Sequence, residues 1–266
     1  MKKIVVITGA NSGIGKCTAD MFRKNGDTVY CLSIAIDEQY PEYSYVCDVT
    51  NEERVKEVLD EIGQKEGRID ILVNNAGMGV NGALELLPSD VVKKAIEVNV
   101  VGCYLMSKYA LKYMTKGCKI IYISSVSGLM PSPFRSLYCF TKSAVYMMGL
   151  CQRMELKQAG IDVTVICPGE VKTPFMKNRV RIEETNEHYG KQVERAFAFL
   201  DKHDSGKRMP PEKVAKVVVK QSYKKHSSAV KIVGGSFKFL HFGVKVLPTS
   251  WSLAIINKFM GGGTIE

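Results

Sequence analysis

Tyr138 and Lys142 are the residues of this 266-residue chain whose types and spacing speak most directly of chemistry. They lie four positions apart, which stacks them on one face of a helix. A free phenol titrates near pH ~10 and is a poor base at neutrality. An ammonium group one turn away favours the phenolate. A tyrosine so placed can hand a proton to a carbonyl oxygen or take one from an alcohol. Upstream, Ser125 follows the apolar run Ile120–Ile123, which reads as a buried strand. A hydroxyl at a strand's end is held rigidly enough to hydrogen-bond the same substrate oxygen. Spacing by itself is a weak criterion, because Tyr104 and Lys108 repeat it. That pair has Val91 where the upstream serine would stand, and it reads as two neighbours on an ordinary helix.

Holding a phenol, an ammonium and a hydroxyl together requires a rigid frame, and the chain's periodicity supplies one. Ile4–Ile7 leads into Thr8-Gly9-Ala10-Asn11-Ser12-Gly13-Ile14-Gly15, and an amphipathic helix from Lys16 to Asn25 follows, closed by Gly26. A strand, a glycine turn and a helix offer backbone N–H groups to a phosphate. Gly9 permits the tight turn, Gly13 lets the backbone approach a pyrophosphate, and Gly15 lets helix and strand pack closely. Further strands are predicted at Thr28–Leu32, Tyr43–Cys47, Ile69–Val73, Ile120–Ile123, Asp162–Cys167 and Ala229–Val233. Helices are predicted over Asn51–Gly63, from Pro88 to Lys116, from the Tyr138 region to Gln158, and from Pro210 to Tyr223. The alternation predicts an α/β fold, a single Rossmann-like doubly wound parallel sheet of about seven strands with helices on both faces. Its ligand crevice lies at the carboxyl ends of the strands, where Thr8, Ser33, Asp48, Asn74, Ser125 and Pro168 all fall. Residues 1–266 read as one dinucleotide-binding domain, with a charged insertion over 174–208 and an extension over 236–266. Asn99 is a poor mid-helix residue. Either its amide bonds across to a neighbouring strand, or it marks a local distortion that exposes a carbonyl to water.

Composition narrows the field. The eight cysteines show no paired spacing with histidine, and Cys31, Cys47 and Cys167 sit in apolar runs. The expectation is a reducing, cytoplasmic setting with no disulfide and no metal. No apolar run approaches ~18 residues, so no transmembrane segment is expected. The net charge of +10 is uneven: residues 1–171 carry 19 basic and 19 acidic side chains, and residues 172–266 carry 18 and 8. Such an excess suits an anionic substrate, a phosphorylated cofactor, a membrane surface or simple solubility. There is no nucleic-acid motif. At the end of the second strand stand Ser33 and Ile34, where an NAD-specific site presents a carboxylate to the ribose 2′-hydroxyl. Asp37 and Glu38 come late, and the arginine expected for a 2′-phosphate is missing too. NADP(H) is favoured, with NAD(H) as the alternative.

Thr8-Gly9-x3-Gly13-Ile14-Gly15, Asp48-Val49, Asn74-Asn75-Ala76-Gly77, Asn99, Ser125, Tyr138-x3-Lys142 and Pro168-Gly169 with Val171 and Thr173 together resemble the short-chain dehydrogenase/reductase family over residues 4–235. The resemblance implies that Gly9, Asn11, Ser12, Gly13, Ile14 and Gly15 hold the cofactor pyrophosphate. It implies that Asp48, with Val49, binds the adenine and that Asn75, Ala76 and Gly77 support the adenosine ribose. Ser33 faces the 2′ position, and Pro168, Gly169, Val171 and Thr173 flank the nicotinamide. Tyr138 is then general acid in reduction and general base in oxidation. Lys142 binds the nicotinamide ribose and tunes Tyr138, Ser125 steadies the substrate oxygen, and Asn99 holds a water. A homodimer or homotetramer through the two long helices around Ser125 is implied as well.

The expected substrate wall, Met78–Leu84, Val126–Leu137 and the insertion, is apolar through Met78, Val126, Leu129, Met130, Phe134, Leu137, Phe175 and Met176. It suits a small hydrophobic ketone or alcohol, steroid-like or lipid-like. The tail Phe237–Phe242 with Trp251 is similar to that of the branch holding 17β-hydroxysteroid and retinol dehydrogenases. It reads as a helix folding back over the core, with peripheral membrane contact as the sharper alternative. Two rival readings are a reductase of small polar or acyl-carrier-bound ketones and a non-catalytic NADP(H)-binding regulator.

Overall fold

In the computed structural model, which describes residues 2–204 and 208–259, one seven-stranded sheet carries the site. Its strands are β1 (Ile4–Thr8), β2 (Thr28–Ser33), β3 (Ser44–Val46), β4 (Ile71–Asn74), β5 (Lys119–Ile123), β6 (Asp162–Pro168) and β7 (Val230–Val233). All pair in parallel, in the order β3-β2-β1-β4-β5-β6-β7. The order reverses between β1 and β4, which opens a crevice at their carboxyl ends.

Alternate residues serve opposite faces, as the two-residue period of a strand dictates. Val6, Tyr30, Leu72 and Ile120 point to one side. There α2 (Glu52–Glu66), α4 (Gly102–Ala110) and α5 (Ser136–Glu155) bury Leu59, Met106 and Val145. Val5, Ile7, Val73 and Ile121 point to the other, under Phe22 of α1 (Gly13–Lys24) and Val214 and Val218 of α7 (Pro211–Ser222). A strand covered on both faces reads as a continuous apolar run, which is why β1 and β5 were so plain in the sequence.

Helix boundaries differ from expectation for physical reasons. Asn51 stands outside α2 as its N-cap, its side chain accepting from the Arg54 amide at 2.9 Å. The helix runs past Gly63, because that glycine is a packing site: a Cβ there would lie 2.4 Å from the Tyr113 ring. Gly67, at φ 73°, ends the helix instead. The predicted long helix from Pro88 to Lys116 is broken. It consists of α3 (Ser89–Ile96), a π-helical turn over Glu97–Val101, and α4, followed by a 3₁₀ turn at Leu111–Tyr113. The helix bearing Tyr138 ends at Glu155, short of Gln158.

The insertion holds α6 (Gln192–Asp204) and a two-residue strand, Val180–Arg181, that pairs in parallel with Val80–Asn81. The extension forms α8 (Gly235–Val246) and α9 (Thr249–Phe259). All eight cysteines are free thiols.

Candidate active site

The turn between β1 and α1 is shaped by crowding. A Cβ on Gly15 would lie 2.2 Å from the Gly9 carbonyl oxygen, and one on Gly9 would lie 3.0 Å from Ala76 Cα. Gly9 and Gly13 also take φ values of 63° and 53°. Thr8 Oγ1 accepts from the amides of Asn75 (3.0 Å) and Ala76 (2.9 Å), and Asn75 Nδ2 donates to the carbonyls of Thr8 (2.9 Å) and Gly9 (3.1 Å). The loop after β4 is thereby stitched to the glycine turn. From the far side Thr173 closes in, 3.0 Å from where a Gly13 Cβ would stand. Ile14 packs against the core beneath the turn.

This cradle fits an anionic dinucleotide. Ser12, at the N-cap of α1, makes no side-chain cap bond, and the first turn holds no acid. Its N–H groups are left for an anion. Asn11 donates to the Ala35 carbonyl, while its Oδ1 is buried without a partner. Ser33 closes β2, largely buried. Asp37 lies elsewhere: it pairs with Arg23 at 3.4 Å, and its amide donates to Ser44 Oγ. Asp48, exposed after β3, accepts from the amide and hydroxyl of Thr50, while Val49 packs against Gly102. On the opposite rim Pro168 ends β6, Gly169 lies under the Phe237 ring, and Val171 bridges to Met209.

Tyr138 and Lys142 sit in the first two turns of α5, 9% and 4% exposed. The Lys142 ammonium lies 5.9 Å from the Tyr138 ring centroid and donates to the Ile123 carbonyl at 3.0 Å. It also borders the cofactor side, since a Cβ on Gly77 would come 3.4 Å from it. Ser124 fixes the helix from below by donating to the Lys142 carbonyl at 2.7 Å. Ser125 is buried just beyond β5 and caps the 3₁₀ turn Val126–Gly128, its hydroxyl accepting from the Ser127 amide at 3.1 Å. Burial raises the thiols of Cys103 to about 11 and Cys167 to about 12, so neither offers a thiolate to neutralise the neighbouring Lys142.

Asn99 occupies the π turn and is almost wholly buried. Its amide accepts from the Met78 N–H at 2.7 Å, donates to the Met78 carbonyl at 2.9 Å, and donates to Thr141 Oγ1 at 3.0 Å. The amide's partner is the loop after β4 and not a strand, as the first sequence expectation had it, and the helix is distorted at this residue as well. Thr141, wholly buried, in turn donates to the Tyr138 carbonyl at 3.0 Å. Thr141 and Arg135, whose guanidinium lies 5.3 Å from the Tyr138 ring centroid, were not singled out from sequence. Arg135 stands three positions before Tyr138, at the N-cap of α5 and outside its helical turns, so helical spacing gave no signal for it.

Aromatic rings gather beside Tyr138 and along the segment before it. The Phe175 ring stands 5.9 Å from that of Tyr138, and Phe134 packs edge-on against Tyr189 at 5.7 Å. Phe134 takes φ 56°, uncommon for a non-glycine residue, and its carbonyl receives the Gly82 amide.

The crevice is of the dinucleotide-binding kind, and comparison with known proteins makes the chain an NAD(P)-dependent oxidoreductase acting on alcohol and carbonyl groups. The profile described as "short chain dehydrogenase" matches residues 3–184, and the chain belongs to the short-chain dehydrogenase/reductase family. It is 37% identical over 207 residues to the 3-ketodihydrosphingosine reductase of Bacteroides thetaiotaomicron, covering 76% of this chain and 77% of that one. A short-chain dehydrogenase from Streptomyces avermitilis superposes with a TM-score of 0.81 at 26% identity, covering 95% and 97% of the two chains. The structure titled "ElxO with NADP Bound" superposes at 0.72 with 31% identity, over 90% and 100%.

Proposed function

We propose that this enzyme interconverts a hydrophobic, lipid-like ketone and its secondary alcohol, with NADP(H) the favoured cofactor. The observation that carries this reading is the burial of Tyr138 and Lys142 between the Gly77 loop and the ring of Phe175. A relative named as a 3-ketodihydrosphingosine reductase supports the lipid-like class. When bound, the nicotinamide supplies or accepts a hydride.

Gly9, Asn11, Ser12, Gly13, Ile14 and Gly15 would hold the pyrophosphate. Asp48, Val49, Asn75, Ala76 and Gly77 would hold the adenosine, and Pro168, Gly169, Val171 and Thr173 would flank the nicotinamide. The Tyr138 hydroxyl delivers its proton to the substrate oxygen in reduction, and its phenolate takes the proton back in oxidation, with Ser125 donating a hydrogen bond to that oxygen. Lys142 grips the ribose and keeps positive charge beside the phenol. Asn99 positions Met78 and Thr141, and its widened turn supports a water on its carbonyl. The engagement of Asp37 by Arg23 leaves Ser33 as the residue that meets the 2′ position, which supports NADP(H).

Tyr104, Phe140, Met147 and Met154 are exposed apolar side chains on α4 and α5 and support a homodimer or homotetramer through those helices. Free thiols throughout support a cytoplasmic, reducing setting.

The test is a nicotinamide-absorbance screen of long-chain, steroid and small polar ketones with both cofactors. The expected result is turnover of long-chain or steroid ketones, with kcat/KM at least about tenfold higher for NADPH than NADH. A preference for NADH overturns the reading of Ser33. Salt-sensitive turnover confined to acyl-carrier-bound ketones favours the polar rival. Tight NADPH binding without any turnover favours a regulator.

A further inference from the structure

We infer that α8 and α9 form a docking face for an anionic lipid bilayer, beside the mouth of the active-site crevice. The inference deepens the lipid-like reading of the substrate and rests on it for its purpose. Phe239, Phe242 and Val246 are 81%, 68% and 65% exposed, and their i, i+3, i+7 spacing puts them on one side of α8. On α9, Ser252 and Ile256 are buried, while Trp251, Leu253 and Ile255 stay in solvent. Large aromatic side chains so exposed on neighbouring helices mark a surface meant to be covered.

Charge selects the occupant. From residue 213 to 259 the chain carries nine lysines and not one Asp or Glu. Three of these, Lys238, Lys245 and Lys258, belong to α8 and α9, and lysine interleaved in sequence with Phe and Trp suits the boundary between anionic headgroups and acyl chains. No helix among the described residues is long and apolar enough to cross a membrane, so the pair would lie flat on it. The face is anchored to the catalytic centre: the ring of Phe237, in the first turn of α8, sits where a Gly169 Cβ would come within 2.3 Å of it. Gly169 opens the loop that continues to Val171 and Thr173. A lipid leaving the bilayer would therefore meet the crevice within a few residues of the docked surface.

Trp251, the one tryptophan of the chain, is a built-in reporter. The full-length protein, without substrate, is titrated with phosphatidylcholine vesicles alone or with about 30% phosphatidylserine. The expected result is a saturable blue shift of Trp251 emission with the anionic vesicles, at least about tenfold weaker with neutral vesicles or at high salt. Phe239→Ser combined with Phe242→Ser weakens the response at least about tenfold, while turnover of a small water-soluble ketone stays within about twofold. Emission unmoved by anionic vesicles overturns the inference, as does undiminished binding of the double variant. Loss of a dimer by light scattering in that variant, without vesicle binding of the parent, assigns the face to a second copy instead. Vesicle binding with no lipid-like substrate in the ketone screen leaves the docking face standing and removes the substrate reading.

Discussion

Two tyrosine–lysine pairs in this chain share one spacing and nearly one geometry. The ammonium lies 5.8 Å from the ring centroid in Tyr104–Lys108 and 5.9 Å in Tyr138–Lys142. Their surroundings are opposite. Tyr104 is 51% exposed, and Lys108 donates to the Glu52 carboxylate at 2.7 Å. That hydrogen bond, followed by the one to Tyr109, holds the Lys108 ammonium above the usual lysine range, its charge committed to a neighbouring acid. Tyr138 is 9% exposed, and Lys142 donates to a neutral carbonyl, so its charge remains available to whatever enters the crevice. Ring-to-ammonium distance therefore does not tell the two pairs apart; the acceptor that faces the ammonium, and the solvent that does or does not screen it, do.

The strongest way to break this contrast is to remove the phenol hydroxyl. Tyr138→Phe should lower kcat by at least about 10³-fold while NADPH binding, followed by nucleotide fluorescence, survives. Retained turnover would show that another group moves the proton. Next, Lys142→Met should lower kcat by about 10- to 100-fold and also weaken NADPH binding, read by titration. Asn99→Ala should cost about 2 kcal/mol of stability in denaturant unfolding, because it leaves the half-buried N–H and carbonyl of Met78 without their partner and removes one of the two bonds of the Thr141 hydroxyl. It should also lower kcat by about tenfold through the displaced loop. The smallest effects belong to the outer pair: Tyr104→Phe and Lys108→Met should each leave kcat/KM within about twofold. A larger loss there would make the second pair functional and dissolve the comparison.

The sequence made some of this plain and hid the rest, according to how local each cause is. The glycine turn, the strand ends and the Tyr138–Lys142 spacing are written within a few residues, and their elements form where expected. The break in the Pro88–Lys116 helix was signalled by Asn99 alone. Its resolution needed Met78 and Thr141, which lie 21 and 42 positions away and meet Asn99 only after the sheet assembles. Gly63 read as a helix stop because its true neighbour, Tyr113, belongs to another element. Arg23 offered no hint that it would pair with Asp37, the first carboxylate in sequence after β2. His241 read as a packing or surface residue, and its side chain lies outside the described residues.

The two-residue ladder joining Val80–Asn81 to Val180–Arg181 ties the segment after β4 to one a hundred positions later. Gly82 tightens the junction, since a side chain there would strike the Ile182 carbonyl at 2.9 Å. The two loops thus form a single jaw rather than a fixed floor and a swinging flap. α6 belongs to the same unit, because Val193, Ala196, Phe197 and Leu200 pack with Ala83 and Phe134 and Asp201 pairs with Arg181, so a change in that helix would be felt at the ladder.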